Sequence, residues 1–374
     1  MNNKLRIAVV FGGRSGEHEV SLMSARSVLS ALDPGKYEIT QIGITKEGIW
    51  LAGDDVLDAM QAGKLSDGNQ KQVVILPDQA HNRLWEIRSH GSSMELNPLS
   101  KMDVIFPVLH GTFGEDGTLQ GLLELADLAY VGAGVTGSSV GMDKGIFKDV
   151  MRSMGIPTAA SVIVLRSEVE KNLDGVIHRV ETVGHYPLFV KPANLGSSVG
   201  ITKCNNQADL GEGLLEAATY DRRILVEQGI DAREIEVSVL GNDEPQASVP
   251  GEVLPSREFY SYESKYLDGT TELVIPAPLP PETADEIRRM AVTAFKAVDC
   301  AGMARVDFFV EKGTGRIYLN EINTIPGFTN ISMYPKLWEA SGLPYSKLVD
   351  RLVDLALERK ADRDHTEHFF RRTL

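Results

Sequence analysis

The strongest constraint on the fold comes from two short segments that flank a Lys-Gly-Thr-Gly turn, MARVDFFV (303–310) and YLNEIN (318–323). Two strand-like segments around a glycine-containing turn are typical of a β-hairpin. Side chains alternate between the two faces of a strand, so Arg305, Asp307 and Phe309 share one face of the first segment. The polar groups of this segment are therefore expected on a single face.

The second segment adds two oxygen donors. By the same alternation, Leu319, Glu321 and Asn323 share a face. If the two faces coincide, Asp307, Glu321 and Asn323 converge, with Arg305 beside them. Two carboxylates brought together repel each other unless a cation lies between them, and oxygen-only ligands suit Mg²⁺. The alternative is an exposed sheet face with scattered polar residues.

A second segment, KPANLGSSVG (191–200), predicts a phosphate-binding loop. Lys191 at a strand end supplies a point charge, and the glycine- and serine-rich loop supplies backbone donors for phosphate oxygens. The chain contains no GxxxxGK[ST] sequence, so the loop is not of the Walker type. Alone, the segment could equally be a flexible surface loop. Beside a Mg²⁺ hairpin it indicates a nucleotide site.

The first ~140 residues alternate between strand and helix patterns, which predicts an open parallel sheet with ligands at the carboxyl ends of its strands. Glu17 follows the first buried strand (6–11), where a carboxylate would repel phosphate and attract an ammonium group. The alternative is an ordinary acidic helix start. His110 follows the second buried strand (104–109), although a lone histidine is often structural.

Composition and motif context argue against several classes of function. The 374 residues suffice for two to three domains, and a net charge of −14 argues against nucleic acid or an anionic membrane as the main partner. No apolar run approaches the ~20 residues of a membrane span, and no signal peptide is evident, so a cytoplasmic location is expected. Residues 132–137 match GxGxxG but lie outside a first βαβ unit, which argues against an NAD-linked oxidoreductase.

Seven segments together resemble the D-alanine–D-alanine ligases of the ATP-grasp superfamily. In order from residue 12 to about 333 they are GGRSGEHEVS, HGTFGEDGTLQG, GMDK, VKPANLGSSVG, YESKY, ARVDFF and NEINTIPGFT. The resemblance implies that the carboxylate of one D-alanine attacks the γ-phosphate of ATP to give D-alanyl phosphate. The amine of a second D-alanine then attacks this acyl phosphate, which supplies a peptidoglycan precursor.

The resemblance also implies an α/β and α+β architecture, in which an N-terminal open parallel sheet precedes a two-part ATP-grasp fold. We expect a substrate domain over residues 1–142, a small central subdomain over 143–223, a C-terminal ATP-grasp subdomain over 224–360 and a charged tail over 361–374. ATP would lie between the two ATP-grasp subdomains. A homodimer is the family expectation.

For the nucleotide, the resemblance implies that Lys144 and Lys191 contact the α- and β-phosphates. Glu227 would border adenine and Glu234 would bind the ribose hydroxyls. The remaining expected nucleotide contacts are Ser198, Val199, Lys265 and Phe309, with Lys265 at the γ-phosphate. The expected ligands of two Mg²⁺ ions, for which Mn²⁺ can substitute, are Asp307, Glu321 and Asn323.

For the substrates, Glu17 would hold the first ammonium group and His110 would lie near the first D-alanine. Arg305 and the Gly327 N–H would form the oxyanion site. The remaining expected substrate-side residues are Ser332, at the second carboxylate, and Tyr266 and Ser197, which would join Glu17 in a hydrogen-bonded latch.

Two alternatives remain open on the sequence. Ligases that make D-alanyl-D-lactate lack the tyrosine of the SKY segment, so Tyr266 favours the dipeptide. A non-catalytic nucleotide-binding module would have lost a metal ligand or Arg305, and all are present. Leu195 occupies a loop position that is often polar in the family, from which we expect a local change in loop contacts.

Overall fold

Buried strands organise the chain into three sheets, which the computed structural model describes over residues 4–65, 70–196, 199–254 and 272–367. Within these residues, no helix is both long and apolar enough to cross a bilayer. The mixed α/β class expected from the sequence is confirmed.

The first sheet has eight strands in the order β6-β5-β4-β3-β2-β1-β7-β8. Its strands are β1 Leu5–Gly12, β2 Tyr37–Ile44, β3 Trp50–Ala52, β4 Lys71–Ile75, β5 Arg83–His90, β6 Ser93–Lys101, β7 Val104–Val108 and β8 Ala129–Tyr130. Its helices are α1 His18–Ala31, α2 Val56–Ala62 and α3 Thr118–Leu125.

Only half of this sheet is parallel. Strands β2, β1, β7 and β8 pair in parallel, whereas β3 to β6 continue the sheet in antiparallel pairs. The two-residue connection between β5 and β6 is too short for a parallel crossover, so these strands form a hairpin. The expectation of a parallel sheet therefore holds for β2, β1, β7 and β8. Glu17 and His110 follow two of these strands, β1 and β7.

The second sheet is antiparallel, with the order β11-β10-β12-β9. Its strands are β9 Ser161–Leu165, β10 Leu188–Pro192, β11 Thr202–Cys204 and β12 Arg223–Gln228. The helices of this region are α4 Val135–Met142, α5 Lys144–Ser153, α6 Arg166–Lys171, α7 Leu173–Val180 and α8 Gln207–Tyr220. The boundary expected between residues 223 and 224 falls inside β12, whose whole length pairs in this sheet. We therefore propose that this boundary lies after Gln228.

The third sheet has the order β16-β15-β13-β17-β18, and β14 pairs with β13. Its strands are β13 Ala232–Gly241, β14 Gln246–Ala247, β15 Gly251–Leu254, β16 Glu272–Val274, β17 Gly302–Glu311 and β18 Ile317–Asn323. The helices are α9 Pro281–Ala297, α10 Met333–Ala340 and α11 Tyr345–Arg363. Apolar residues at helical spacing on α9, including Ile287, Ala291 and Phe295, share a buried core with the apolar face of β13 and β17.

Helix α11 joins the end of the chain to the first sheet. It continues to Arg363, three residues beyond the expected end of the C-terminal subdomain at Lys360. Lys360 Nζ lies 3.1 Å from Asp127, and Arg363 forms ion pairs with both Asp127 and Glu124. These contacts also place basic side chains at the negative end of the helix dipole. Residues 361–363 are therefore helical, and residues 368–374 lie outside the described residues.

Candidate active site

The β17–β18 hairpin brings the expected oxygen donors together. Asp307 pairs with Glu321, and Arg305 pairs with Asn323. The Asn323 side-chain amide donates a hydrogen bond to Asp307 at 3.0 Å. The two polar faces therefore coincide, as the alternation required, and metal binding by these residues stays a prediction.

A β-bulge interrupts the hairpin directly beside this cluster. Asp307 pairs with Glu321, but Phe308 pairs with Leu319, so Asn320 is an extra residue in β18. Leu319 is fully buried in the same core as Phe308. The expectation that Leu319 shares a face with Glu321 was wrong, because the bulge reverses the alternation at Asn320.

Arg305 is held by two carboxylates on neighbouring strands. Its Nε and Nη2 each donate to Asp307 at 2.7 Å, and its Nε lies 3.0 Å from Glu236 on β13. Glu236 is buried and pairs directly with Asp307 across the sheet. The sequence reasoning assigned no role to Glu236, although the alternation of Glu234, Glu236 and Ser238 along β13 was a signal that these residues share a face.

The hairpin side chains include the kinds of oxygen ligand that a divalent cation prefers. Glu236, Asp307 and Glu321 are neighbours on three adjacent strands, where Arg305 compensates Glu236 and Asp307, and Lys144 Nζ lies 4.0 Å from Glu321. The described part of the chain contains no group of three or more His, Cys, Asp or Glu side chains that could hold a metal ion. Two carboxylates plus the Asn323 amide oxygen suit Mg²⁺, which keeps phosphate oxygens and waters in its shell.

Two buried lysines share one carboxylate on the second sheet. Lys191 of β10 forms an ion pair with Glu227 of β12, and Lys148 of α5 lies 3.1 Å from the other oxygen of Glu227. Burial alone would raise the pKa of Glu227, but the two ammonium groups lower it to about 2. Lys148 was missed by the sequence reasoning, although it follows Lys144 by one helical turn.

Lys191 and Lys144 connect this cluster to the hairpin. Burial disfavours the charged form of Lys191, but three surrounding carboxylates, from Glu227, Glu321 and Glu234, raise its pKa. Lys144 Nζ donates to the Leu195 carbonyl at 2.7 Å and lies 4.0 Å from Glu321. The Leu195 position, flagged as unusual in side chain, therefore contributes its backbone carbonyl to Lys144.

Glu17 lies where the first sheet meets the glycine- and serine-rich loop. A Cβ at Gly196 would approach Oε2 of Glu17 to 2.6 Å, and a Cβ at Gly111 would also come too close to it. Gly111 in addition has φ of 74°, a conformation that favours glycine. Both glycines are therefore needed for the Glu17 carboxylate to occupy this position.

His110 has both ring nitrogens engaged by the protein. Nδ1 lies 2.9 Å from the Ile325 carbonyl and Nε2 lies 3.0 Å from the Ser24 hydroxyl. Because the carbonyl only accepts, Nδ1 carries the proton and Nε2 accepts from Ser24, whose oxygen accepts from the Phe328 N–H at 3.2 Å. Burial lowers the pKa of His110, against the opposing charge of Glu17. A neutral His110 thus anchors the 325–328 turn to β7.

Glu115 is a second residue that is hydrogen-bonded to the 325–328 turn. Its carboxyl accepts from the Gly111 N–H at 2.6 Å and from the Ile325 N–H at 3.1 Å. Removal from bulk water and the charge of Glu17 raise its pKa to about 8. Glu115 lies in the HGTFGEDG segment, where the sequence reasoning singled out only His110.

Several of these groups line one cavity of about 90 Å³, whereas Asp307, Lys191 and Glu227 are not among its lining residues. Of the expected site residues, the cavity is lined by Glu17, His110, Lys144, Arg305, Glu321, Asn323 and Gly327. Ser332 does not line it, and its hydroxyl instead forms a 2.8 Å hydrogen bond with Thr329. Glu234 and Phe309 pair across β13 and β17, and the Val199 N–H donates to the Gly196 carbonyl at 3.3 Å. The remaining expected residues, Ser197, Ser198, Lys265 and Tyr266, lie outside the described residues.

An α/β sheet followed by two antiparallel sheets, with Lys144, Glu17 and Glu321 lining one cavity, has the architecture of an ATP-grasp enzyme. Residues 6–133 match the family model of the D-ala D-ala ligase N-terminus, and residues 150–354 match that of the D-ala D-ala ligase C-terminus. The chain belongs to the D-alanine–D-alanine ligase family.

Individual relatives agree with this assignment. A D-alanine–D-alanine ligase of Acetivibrio thermocellus is 48% identical over 97% of this chain and 98% of its own length. That of a Thermoanaerobacter species is 53% identical over 95% and 97%. Among solved structures, the Coxiella burnetii D-alanine–D-alanine ligase is 39% identical with a TM-score of 0.82, covering 96% of both chains. The VanG D-Ala:D-Ser ligase of Enterococcus faecalis is 35% identical with a TM-score of 0.83, covering 95% of this chain and 100% of that one.

Proposed function

We propose that this protein joins two molecules of D-alanine to D-alanyl-D-alanine while ATP is converted to ADP and phosphate, which supplies peptidoglycan precursors. The observation that carries the proposal is a cavity lined by Glu17, Arg305, Glu321 and Gly327, with Asp307 paired to Glu321 across the hairpin. The family to which the chain belongs supports the use of ATP and D-alanine.

In the first step, the carboxylate of one D-alanine attacks the γ-phosphate and ADP leaves. Glu17 holds the ammonium group of this substrate by opposite charge, which keeps its carboxylate pointing into the cavity. Lys144 and Lys191 bind the α- and β-phosphates. Asp307, Glu321 and Asn323 would hold two Mg²⁺ ions, which when bound neutralise phosphate charge during transfer.

In the second step, the amine of the other D-alanine attacks the carbonyl carbon of the acyl phosphate. Negative charge develops on the carbonyl oxygen, and Arg305 with the Gly327 N–H stabilises it before phosphate leaves. Arg305 is suited to this role because Glu236 and Asp307 fix its guanidinium group in advance. His110 positions the 325–328 turn through the Ile325 carbonyl and the Ser24 hydroxyl, and we propose that it transfers no proton.

The identity of the second substrate distinguishes this proposal from its nearest alternatives. The structural likeness to a D-Ala:D-Ser ligase makes D-serine a competitor, and D-lactate is the other alternative from the sequence. The test supplies ATP and D-alanine with equal D-serine or D-lactate from pH 6 to 9 and identifies products by mass spectrometry. We expect D-alanyl-D-alanine to dominate, increasingly so against D-lactate as pH rises, because the ammonium group of D-alanine must lose a proton before it can attack, whereas the hydroxyl group of D-lactate does not titrate in this range. D-alanyl-D-serine or D-alanyl-D-lactate as the main product would contradict the proposal.

We propose a homodimer in the cytoplasm, supported by the family resemblance and by the need for ATP. Light scattering after size-exclusion chromatography measures the mass directly. A mass near twice 40.9 kDa is expected, and a monomer at all concentrations would contradict the dimer.

A further inference from the structure

We propose that Lys148 is a positioning residue, which compensates the Glu227 carboxylate when nucleotide binding draws Lys191 away from it. This inference rests on the proposed function, because it requires Lys191 to bind the α- and β-phosphates. It concerns a lysine to which the sequence patterns assign no role.

Lys148 lies at the centre of a buried connection between two sheets. Its side chain is among the largest fully buried ones, with 1% exposure. Its Nζ lies 3.1 Å from Oε2 of Glu227 on β12 and donates to the carbonyl of Asn320, also at 3.1 Å. Asn320 is the bulge residue that precedes the expected metal ligand Glu321. Lys148 therefore joins the nucleotide side of the second sheet to the hairpin of the third.

Glu227 divides its two oxygens between two lysines. Oε1 faces Lys191 and Oε2 faces Lys148. A phosphate that binds Lys191 competes with Oε1 of Glu227 for the same ammonium group. Without a second cation, that competition would leave an uncompensated carboxylate in the protein interior, which is strongly unfavourable. Because Lys148 stays on Oε2, Lys191 is available to phosphate at a smaller free-energy cost.

A purely structural role for Lys148 makes a different prediction. If Lys148 only fills space and ties sheets together, its removal should weaken binding of all adenine ligands alike. If it releases Lys191, the loss should fall on ligands that carry α- and β-phosphates. Adenosine and ADP differ in those phosphates alone, so the ratio of their dissociation constants isolates the availability of Lys191.

The central variant is Lys148→Met, which keeps an unbranched chain and removes the charge. Isothermal titration of the full-length protein with adenosine and with MgADP gives the two dissociation constants. We expect ADP binding to weaken about tenfold or more, as for loss of one partner of a buried ion pair, while adenosine binding changes less than about threefold. The matched control is Lys360→Met, which removes an ion-paired lysine outside the cavity and should change neither constant.

Two further variants keep the test decisive if Lys148→Met does not fold. Glu227→Gln removes the competing carboxylate, so ADP should gain relative to adenosine. In Lys148→Met/Glu227→Gln the ADP-specific loss of Lys148→Met should disappear, since no Glu227 carboxylate remains to be left uncompensated when Lys191 binds phosphate. Equal losses for both ligands, or an unchanged ratio in Glu227→Gln, would overturn the role of Lys148. Wild-type protein that binds no ADP or makes no dipeptide would instead overturn the proposed function.

Discussion

Two glutamates on opposite sides of the active site have pKa shifts of opposite sign. The groups around each carboxyl explain the difference. Glu227 is buried, yet two lysine ammonium groups lower its pKa to about 2. Glu115 borders the cavity and accepts two backbone N–H bonds, but its pKa rises to about 8 because it is removed from bulk water next to Glu17. Removal from water acts in the same direction on both carboxyls, so neighbouring charge decides the outcome.

The two sides of the site therefore handle charge by different means. The proposed nucleotide side, defined by Lys144, Lys148, Lys191 and Glu227, uses paired side-chain charges that suit a polyanion. The proposed substrate side, defined by Glu17, His110 and Glu115, uses a neutral imidazole and backbone hydrogen bonds to fix the 325–328 turn. Ion pairs between side chains therefore organise the first side, whereas hydrogen bonds that fix the 325–328 turn organise the second.

The largest expected effect concerns the hairpin carboxylates. Asp307→Asn or Glu321→Gln should lower turnover by a factor on the order of 10³ or more, because each removes charge that neutralises the transferred phosphate. Steady-state ADP release at saturating Mg²⁺ measures this, with thermal unfolding to verify the fold. Asp231→Asn, which removes an exposed ion pair with Lys312, is the control and should be unaffected. Near-native turnover in both hairpin variants would remove the metal site from the mechanism.

The next prediction concerns the pH dependence of stability from Glu115. Its pKa is raised from 4.5 to about 8, so the folded state holds a proton that the unfolded state has released between these values. Its contribution is therefore complete below pH 4.5 and lost as pH rises through 8. Glu115→Gln should lack this slope, a difference on the order of a few kcal/mol across the window. Parallel denaturation curves for both proteins between pH 5 and 9 would contradict the shift.

Glu227 should give the opposite slope in a different window. Its pKa is lowered from 4.5 to about 2, so its stabilisation is present above pH 4.5 and lost as pH falls through 2. Relative to Glu227→Gln, the wild type should lose more stability on acidification from pH 5 to 2, by a somewhat smaller amount than in the Glu115 case. Urea denaturation at fixed pH values measures the difference. A difference between the two proteins that does not change with pH would show that the lysines do not govern this carboxyl.

The smallest expected effect is that of His110. His110→Asn cannot make both hydrogen bonds, so kcat/KM for D-alanine should fall about tenfold, with KM for ATP unchanged. Ser24→Ala, which removes the hydroxyl between His110 and Phe328, should shift the same parameter in the same direction. Because His110 transfers no proton, the pH profile of turnover should keep its shape. Loss of a limb of that profile in His110→Asn would assign the histidine to proton transfer.

Local sequence patterns predicted the features that depend on neighbours along the chain. The alternation of Arg305 with Asp307, and of Glu321 with Asn323, foretold which face of the hairpin is polar. The strand after which His110 lies was evident from its continuous apolar run. The family resemblance then supplied the order of the domains.

Features that depend on pairing between distant segments escaped the sequence. Nothing local distinguishes Asn320 as a bulge, because the register is set by how Phe308 and Leu319 pack in the core. Lys148 and Glu236 acquire their partners only when separate strands and helices meet. The membership of β12 in the second sheet has the same cause, since its partners on β9 lie up to 66 residues earlier, where Arg223 pairs with Leu165 and Glu227 with Ser161. Glu115 lies in the HGTFGEDG segment quoted above, but its hydrogen bond with the 325–328 turn joins two distant parts of the chain.

The central claim is that an acyl phosphate of D-alanine is formed in this cavity, and isotope transfer tests it directly. D-alanine labelled with ¹⁸O in its carboxylate is incubated with unlabelled ATP and the purified protein, and the released phosphate is analysed by mass spectrometry. Attack of the carboxylate on the γ-phosphate transfers one labelled oxygen to each phosphate, in step with dipeptide formation. Dipeptide accompanied by unlabelled phosphate would contradict the account, because the carboxylate oxygen would then never have been bonded to phosphorus.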